Sequence, residues 1–367
     1  MSDAVIWKEK AETRALGSPS VSVVIVTYNG LRYLDACLSA VLNDVTKRTE
    51  VIVVDNASTD GSADEIAARF PSVRLVRNET NRGFAAACNQ GARMAEGEVL
   101  VFLNQDTEVR PGWLSGLIAP LAEPDVGLTT SKVLQMDRPD RIHLCGQAVH
   151  YTGLVFGMGF GERADDATDA SPVGAVGGAS FAIGQELWEA LGGFDEIFFM
   201  YYEETDLSWR AQLQGYRCVL VPSSVVLHDY REGGPSYNQL YHSMRNRTLM
   251  NLKNWRWLTL LLLTPALLLA EAIEWYLACA HGWRGLRAKV RAAGWLLSHP
   301  RTVLERRRRA QRTRCICDAE ILRQRTYRLN PMTITGGRVG GYVTQLCNAL
   351  FRANYRVAWA VCDALDL

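Results

Sequence analysis

Residues 21–30 read VSVVIVTYNG and residues 50–61 read EVIVVDNASTDG. Each is a short β-branched and aliphatic run that stops at a cluster of turn formers, the pattern of a strand buried on both faces of a parallel sheet. Between them Leu31, Leu34, Leu38 and Leu42 recur at helical spacing, so the stretch is one strand–helix–strand unit. Outward from it, a helix over Ser62 to Phe70, a strand at Val73 to Val76, a helix over Ala85 to Ala95 and a strand at Glu98 to Leu103 repeat the alternation. The predicted class is therefore α/β, a doubly wound, mainly parallel sheet flanked by helices.

Past Lys132 the pattern breaks down into glycine-rich and polar stretches as far as Ser171, which predicts a solvated loop that orders when substrate binds. Regular structure resumes at Val176 to Ile183, with a helix beginning near Gln185, a turn at Gly192 and Gly193, a helix over Glu204 to Gln214, and a last strand ending at His228.

The 367 residues, 48% hydrophobic and 22% charged, suit one large core with an appended C-terminal segment and argue against long disorder. The net charge of +1 conceals an asymmetry, because basic residues gather after Trp255, as in Arg306 to Arg309. Nine dispersed cysteines without CxxC pairs point to reduced thiols and away from a zinc site. Met1 to Pro19 is a charged extension lacking the apolar stretch of a secretory signal, so the expected setting is cytoplasmic.

Leu258 to Leu269, LTLLLLTPALLL, would cover about 18 Å as a helix, short of the roughly 30 Å of a bilayer core. Flanking tryptophans (Trp255, Trp257, Trp275, Trp283, Trp295) and the arginines beyond predict a peripheral or monotopic attachment to anionic membrane lipid; a buried core helix is the competing reading. The expected division is thus an extension over 1–19, a catalytic domain over 20–245 and a helical, basic, membrane-associating region over 246–367.

Ligands of parallel sheets bind beyond the carboxyl ends of the strands. Those ends supply Thr27, Tyr28 and Asn29, then Asp55 and Asn56, then Asn104, Gln105 and Asp106. Asp55 has the chemistry to accept from a base N–H or a ribose hydroxyl; its competing role is a helix N-cap, with the cap itself expected at Thr59 to Gly61. Asp106 can hold a divalent ion against a diphosphate, or simply be a turn residue. Glu203, Glu204 and Asp206 cluster at a helix start, more carboxylates than the helix dipole calls for, and offer a general base. His228 is either structural or a nitrogen ligand to the same metal.

The ordered set VSVVIVTYNG, VIVVDNASTDGS, NETNRGFAAACNQG, VLVFLNQDTEV, GGASFAI, GGFDEIFFMYYEETDLSWR and VVLHDY resembles the GT-A fold, inverting family 2 glycosyltransferases, and in particular their bacterial rhamnosyltransferase-like members. The resemblance runs from Val21 to about Tyr230 and extends to the tryptophan- and arginine-rich tail. It implies that Asp55 binds the base, with Thr27, Tyr28, Asn29, Asn56, Arg82, Gly83 and Gln105 around the donor. It also implies that Asn104 and Asp106 stand in the metal motif, more often Asp-x-Asp, with Asp106 a direct Mg2+ or Mn2+ ligand, Asn104 on the ribose or a water, and His228 a second ligand. Glu204, at the second position of the family's Glu-Asp pair, becomes the base, with Glu203 and Asp206 beside it; Trp188, Gly177 and Gly178 shape the sugar and acceptor pocket. The implied activity is transfer, with inversion, of L-rhamnose from dTDP-L-rhamnose to a polyprenyl-linked saccharide at the cytoplasmic face of the membrane. UDP-hexose or UDP-galactofuranose donors, or a catalytically silent nucleotide-sugar scaffold, are the alternatives. The QxxRW motif of processive members is not apparent. No nucleic-acid partner is expected, and a homo-oligomer is compatible with the C-terminal helix around Val343 to Val361.

Overall fold

The structure, a computed structural model, describes residues 19–229, 235–329 and 338–367. Most of the charged N-terminal extension lies outside these residues.

Strands β1 (Val21–Thr27), β2 (Thr49–Asp55), β3 (Arg74–Arg77) and β4 (Val99–Asn104) alternate with helices α1 (Leu31–Asp44), α2 (Ser62–Arg69) and α3 (Phe84–Met94), as the hydrophobic pattern dictates. The strands pair in parallel, β4–β1–β2–β3. Alternate side chains face opposite ways: Val24, Val26, Ile52, Val54, Leu100 and Phe102 enter one core, and Val23, Ile25, Val51, Val53, Val101 and Leu103 another. A sheet covered on both faces needs this unbroken aliphatic composition, which is why the first strands were so legible.

After β5 (Thr107–Val109) and α4 (Trp113–Ile118) the sheet becomes mixed. The ten-residue β6 (Val126–Gln135) carries threonines and a lysine in its middle and departs from the apolar signature; it runs parallel to β12 (Arg217–His228). Between β4 and β6 lies β11 (Ser180–Gly184), antiparallel to both.

The expected solvated loop is instead built structure: β7 (Ile142–Leu144), β8 (Gln147–Val149), β9 (Val155–Gly157) and β10 (Ser171–Val173) fill it, and His150, Tyr151 and Thr152 within it are fully buried. Glycines obscured this. Gly146 and Gly153 both adopt positive φ at the bends that reverse the chain.

Helices α5 (Gln185–Leu191) and α6 (Glu203–Leu213) complete the sheet's cover, and six more follow: α7 (Tyr237–Asn254), α8 (Trp257–Ala280), α9 (Gly282–Ser298), α10 (Pro300–Arg312), α11 (Asp318–Arg323) and α12 (Arg338–Ala364). They do not form a body apart. Tyr151, Phe198, Trp209 and Leu213 share one core with Leu249, Met250, Trp255, Leu260, Leu263 and Phe351. A polar seam runs beside it: Lys253 lies 2.6 Å from Asp195 and 3.0 Å from Asp206, and Asn254 donates to Asp206 at 3.0 Å. Arg247 pairs with Glu274 at 2.6 Å and Glu271 at 2.7 Å, and Lys289 with Glu274 at 2.6 Å. Residue 245 is mid-helix, so a boundary there cuts α7 in two.

α8 is also longer than its most apolar stretch. It continues through Pro265 for 24 residues, about 36 Å at the helical rise, and among the described residues it is the helix long and apolar enough to cross a membrane by length and composition. Its Glu271 and Glu274 are committed to the ion pairs above, whereas Trp257, Leu261 and Leu268 are exposed. Tyr342, Leu346, Leu350 and Val357 of α12 and Trp283 and Leu297 of α9 are exposed likewise.

Two outcomes follow from the shared core. Lys253→Met takes the shared buried cation from Asp206 and Asp195, leaving them Arg210 and the more distant Arg306, and is expected to cost roughly 3–5 kcal/mol in urea unfolding. A chain ended after Arg245 is expected to be insoluble or unfolded by circular dichroism; recovery of a soluble, cooperatively melting fragment would contradict the shared core.

Candidate active site

The sheet brings its chemistry together through register. Thr27 pairs with Asp55 and Val26 with Asn104, so the tips of β4, β1 and β2 end level and side by side at one edge of the sheet, the edge where parallel sheets bind ligands. Gln105 fastens two of the tips: its Oε1 accepts from Thr27 Oγ1 at 2.6 Å and from the Tyr28 amide at 3.0 Å. A Cβ at Gly30 would collide with that side chain. Tyr28 is left 46% exposed at the edge. Asn29, at φ 50°, joins the other side, its amide donating to Ser58 Oγ at 2.9 Å and its Oδ1 accepting from the Thr59 amide at 2.8 Å.

Asp55 is 3% exposed; Oδ2 accepts from the Ser58 amide at 3.2 Å, and Oδ1 has no partner. The capping work next to it falls to Asp60, which accepts from the Leu31 amide at 3.0 Å and the Ser62 amide at 3.1 Å. A buried carboxylate oxygen left without a donor is costly unless a ligand supplies one. Asn56 has no such vacancy. Its amide donates to Asn81 Oδ1 at 2.9 Å and accepts from Asn78 at 3.1 Å and the Arg82 amide at 3.0 Å, so it shapes the 78–83 loop and sets Arg82 and Gly83 beside the crevice. Gly83, at φ 84°, is required twice, since a Cβ would also sit 2.5 Å from the Phe199 ring.

The antiparallel pairing of β5 with β12 sets Thr107 opposite His228 and so brings Asp106 to it, with Oδ1 3.3 Å from His228 Nε2. Asn104 lies at the end of β4, on the same rim. His228 in turn stacks on His143, rings 4.8 Å apart and 4° from parallel, with the two Nδ1 atoms 3.0 Å apart. Burial, followed by the neighbouring His228, pulls the His143 imidazole down to about 4, so it is neutral at ordinary pH. Among the described residues no cage of three or more His, Cys, Asp or Glu side chains exists. Asp106 and His228 nevertheless make a converging oxygen–nitrogen pair, and ions such as Mg2+ take their remaining ligands from water and substrate phosphate, so the pair fits such an ion.

At the first turn of α6, Glu203 is 5% and Glu204 9% exposed. Glu204 Oε1 accepts from Gln147 Nε2 at 2.8 Å, and Gln147 Oε1 accepts from Thr205 at 2.8 Å; Oε2 of each glutamate is unpartnered. Burial raises both acids, and the charge of Glu204 raises Glu203 further, to well above an ordinary carboxyl. Gly178 keeps the approach to Glu204 open, its missing Cβ position being 3.6 Å from that carboxyl group. Phe199, Tyr201 and Tyr202, just before the helix, all have φ between 64° and 73°, each costing on the order of 1–3 kcal/mol.

Two expected site residues lie elsewhere. Asp206 is fully buried and its carboxylate is consumed by Arg210 at 2.8 Å, Lys253 and Asn254; two positions beyond Glu204, it is turned about 200° from that side chain around the helix. Trp188 is core, packed on Phe102 at 4.6 Å and Phe194 at 5.1 Å on the underside of the sheet. Conversely, no local signature marks His143 or Gln147, which come from the segment read as a loop to contact His228 and Glu204.

Residues 22–177 match the family model described as Glycosyl transferase family 2, which bears out the resemblance over that part of the chain. The chain is 29% identical over 230 residues to the O-antigen biosynthesis protein RfbC of Myxococcus xanthus, an alignment covering 58% of this chain but 17% of that protein's length. It is 28% identical over 232 residues to an N-acetylglucosaminyl-diphospho-decaprenol L-rhamnosyltransferase of Mycobacterium tuberculosis, covering 56% of this chain and 75% of that one. A crystal structure of GalNAc-T7 with UDP, GalNAc and Mn2+ shares the fold, at 23% identity and a TM-score of 0.53, over 63% of this chain and 48% of that one. The architecture is the GT-A fold.

The raised glutamates give a pH test. A carboxyl held above its unfolded value near 4.3 keeps its proton in the folded chain while the unfolded chain releases it, so stability falls as pH climbs above about 4.3. Glu203→Gln removes that loss: its melting temperature is expected to exceed the parent's at pH 7–8, with the gain vanishing near pH 4.

Proposed function

We propose that this chain is a metal-dependent, inverting glycosyltransferase that moves a sugar, L-rhamnose from dTDP-L-rhamnose, onto a polyprenyl-linked saccharide at a membrane surface. The observations that support the reading are the unpartnered Oδ1 of buried Asp55, the Asp106–His228 pair and the unpartnered Oε2 of Glu204. A nucleotide diphosphate sugar has matching parts: a base or ribose donor for Asp55, a diphosphate for a cation, and an anomeric carbon to be attacked.

In this reading Thr27, Tyr28 and Asn29 line the nucleoside, and Arg82 contributes positive charge near the diphosphate. Asp106 and His228 would hold Mg2+ or Mn2+, with Asn104 on the ribose or a water; such an ion would supply charge neutralisation for the diphosphate. Glu204 takes the proton from the acceptor hydroxyl as that oxygen attacks the anomeric carbon from the face opposite the diphosphate, which inverts the centre. Its raised affinity for a proton makes it a stronger base than a solvated carboxylate, and Gln147 holds its other oxygen in place. Burial and the charge of Glu204 hold the Glu203 carboxyl well above its ordinary value, which favours a proton there over a second adjacent negative charge.

The Mycobacterium relative, by its name, acts on a decaprenol-linked substrate, which supports a lipid-linked acceptor here. The exposed apolar side chains of α8, α9 and α12 supply an interfacial surface, and the arginines of α10 suit anionic headgroups. UDP and GalNAc in the GalNAc-T7 structure favour a UDP-hexose as the second donor to try.

The test is a donor screen across dTDP, UDP and GDP sugars with the full chain, Mn2+ or Mg2+ and a lipid-linked acceptor. Turnover of dTDP-rhamnose is expected, with kcat falling roughly 10²–10⁴-fold in Glu204→Gln and comparably in Asp106→Ala; full activity in either variant would remove that residue from the mechanism. Nucleotide binding with no transfer from any donor would mark a silent scaffold. The chain should also sediment with anionic vesicles more than with neutral ones, and less so at high salt; equal recovery with both would discard the headgroup contact.

A further inference from the structure

The turn before Glu203 is held by groups outside the sheet. Four of its carbonyls point at two neighbouring residues of α7. Arg245 Nη2 donates to Ile197 O at 2.6 Å and Phe198 O at 3.0 Å. Asn246 Nδ2 lies 3.0, 2.9 and 2.7 Å from the carbonyls of Phe198, Met200 and Tyr201. Arg245 Nε also donates to Asn246 Oδ1 at 2.9 Å, which fixes the amide's orientation, and Asn246 is fully buried. Every hydrogen-bonding group of the Asn246 side chain is thereby spent on this turn or on the arginine beside it.

The same turn touches the donor side. Phe199 O accepts from the Ala85 amide at 3.1 Å, and the Phe199 ring packs where Gly83 has no Cβ while its other contact is a stack on His242, rings 5.1 Å apart. The three positive-φ residues store strain that a free loop would release by rotating back to negative φ. Such a rotation would swing the start of α6 and carry Glu203 and Glu204 with it.

We propose that Arg245 and Asn246 are positioning residues: they clamp the Phe199–Tyr202 turn in its strained form and so hold Glu204 at the acceptor hydroxyl. This rests on the reading of Glu204 as the base. The clamp explains why α7, polar along much of its length, is nonetheless deeply buried. Its Arg247, one residue further on, grips Glu271 and Glu274 of the apolar α8, so the helix that fixes the base is itself anchored to the surface assigned to the membrane.

The experiment compares the full chain with Asn246→Ala, Asn246→Asp and Arg245→Lys. Two readouts are taken: hydrogen exchange of amides 199–206, and steady-state kinetics with whichever sugar nucleotide the parent turns over, alongside titration with its nucleoside diphosphate. Expected are exchange at least about tenfold faster in that segment, with the strands β1, β2 and β4 unchanged, and a kcat reduced roughly 10–100-fold while nucleotide affinity stays within about twofold. Unchanged exchange in folded Asn246→Ala overturns the clamp. Faster exchange with full kcat, or a loss of nucleotide affinity as large as the loss of kcat, overturns the positioning role. Should both Asn246 variants fail to fold, Arg245→Lys, which keeps the charge and loses the planar fork, decides by the same criteria. A parent chain that turns over no sugar nucleotide defeats the proposed function, and the exchange result still decides the clamp.

Discussion

A lysine exposed to only 2% sits between two buried aspartates, and the relation between the two halves of this chain depends on it. Lys253 comes from α7, Asp206 from the helix that bears the glutamates, and Asp195 from the turn leading to that helix. Removing any one weakens the charge balance in a place water does not reach, although Arg210 still pairs with Asp206 and Arg306 lies 3.5 Å from Asp195. The trio does not add much stability over an apolar substitute, but it fixes one arrangement: α6 has to lie where Asp206 meets both Lys253 and Asn254. The unpartnered face of the first turn, Glu203 and Glu204, then has a single direction to point. The C-terminal helices thus act as the second wall of the site.

The crevice has an economy that follows from the sheet. Strand tips that end level deliver one residue each, and the residues beside them are spent on holding the tips together: Gln105 bridges β1 and β4, Asn56 organises the 78–83 loop, and Asn29 engages the 58–59 turn. Among the buried acceptors left without a partner are oxygens of Asp55, Glu203 and Glu204. A ligand's donors can complete such groups. The neutral His143 stacks behind His228 and holds that ring without adding positive charge beside it.

Within the C-terminal helices apolar exposure and buried charge occur on the same elements. α8 presents Trp257, Leu261 and Leu268 outward, while Glu274 faces Arg247 and Lys289 inward. An apolar helix tethered by buried ion pairs on one side and bare on the other is suited to lie along an interface with the protein body above it.

The sequence by itself determined the parallel core and the strand-tip residues. Val21–Thr27, Thr49–Asp55 and Val99–Asn104 are buried on both faces, so their composition has no alternative reading, and Asp55, Asn104 and Asp106 follow them by simple succession along the chain. Only the tertiary structure decided the rest. Asp206 looked equivalent to Glu203 and Glu204, yet its direction on the helix commits it to Lys253, a residue 47 positions away. Trp188 looked like a pocket wall, and its burial on the underside of the sheet makes it core. The Lys132–Ser171 stretch hid four short strands because each is three residues long, too short to show an alternation of apolar and polar side chains, and with them it hid His143 and Gln147. Arg245 and Asn246 carry no local signature at all: their partners are backbone carbonyls, which every residue has, so nothing short of the folded chain shows which ones they hold.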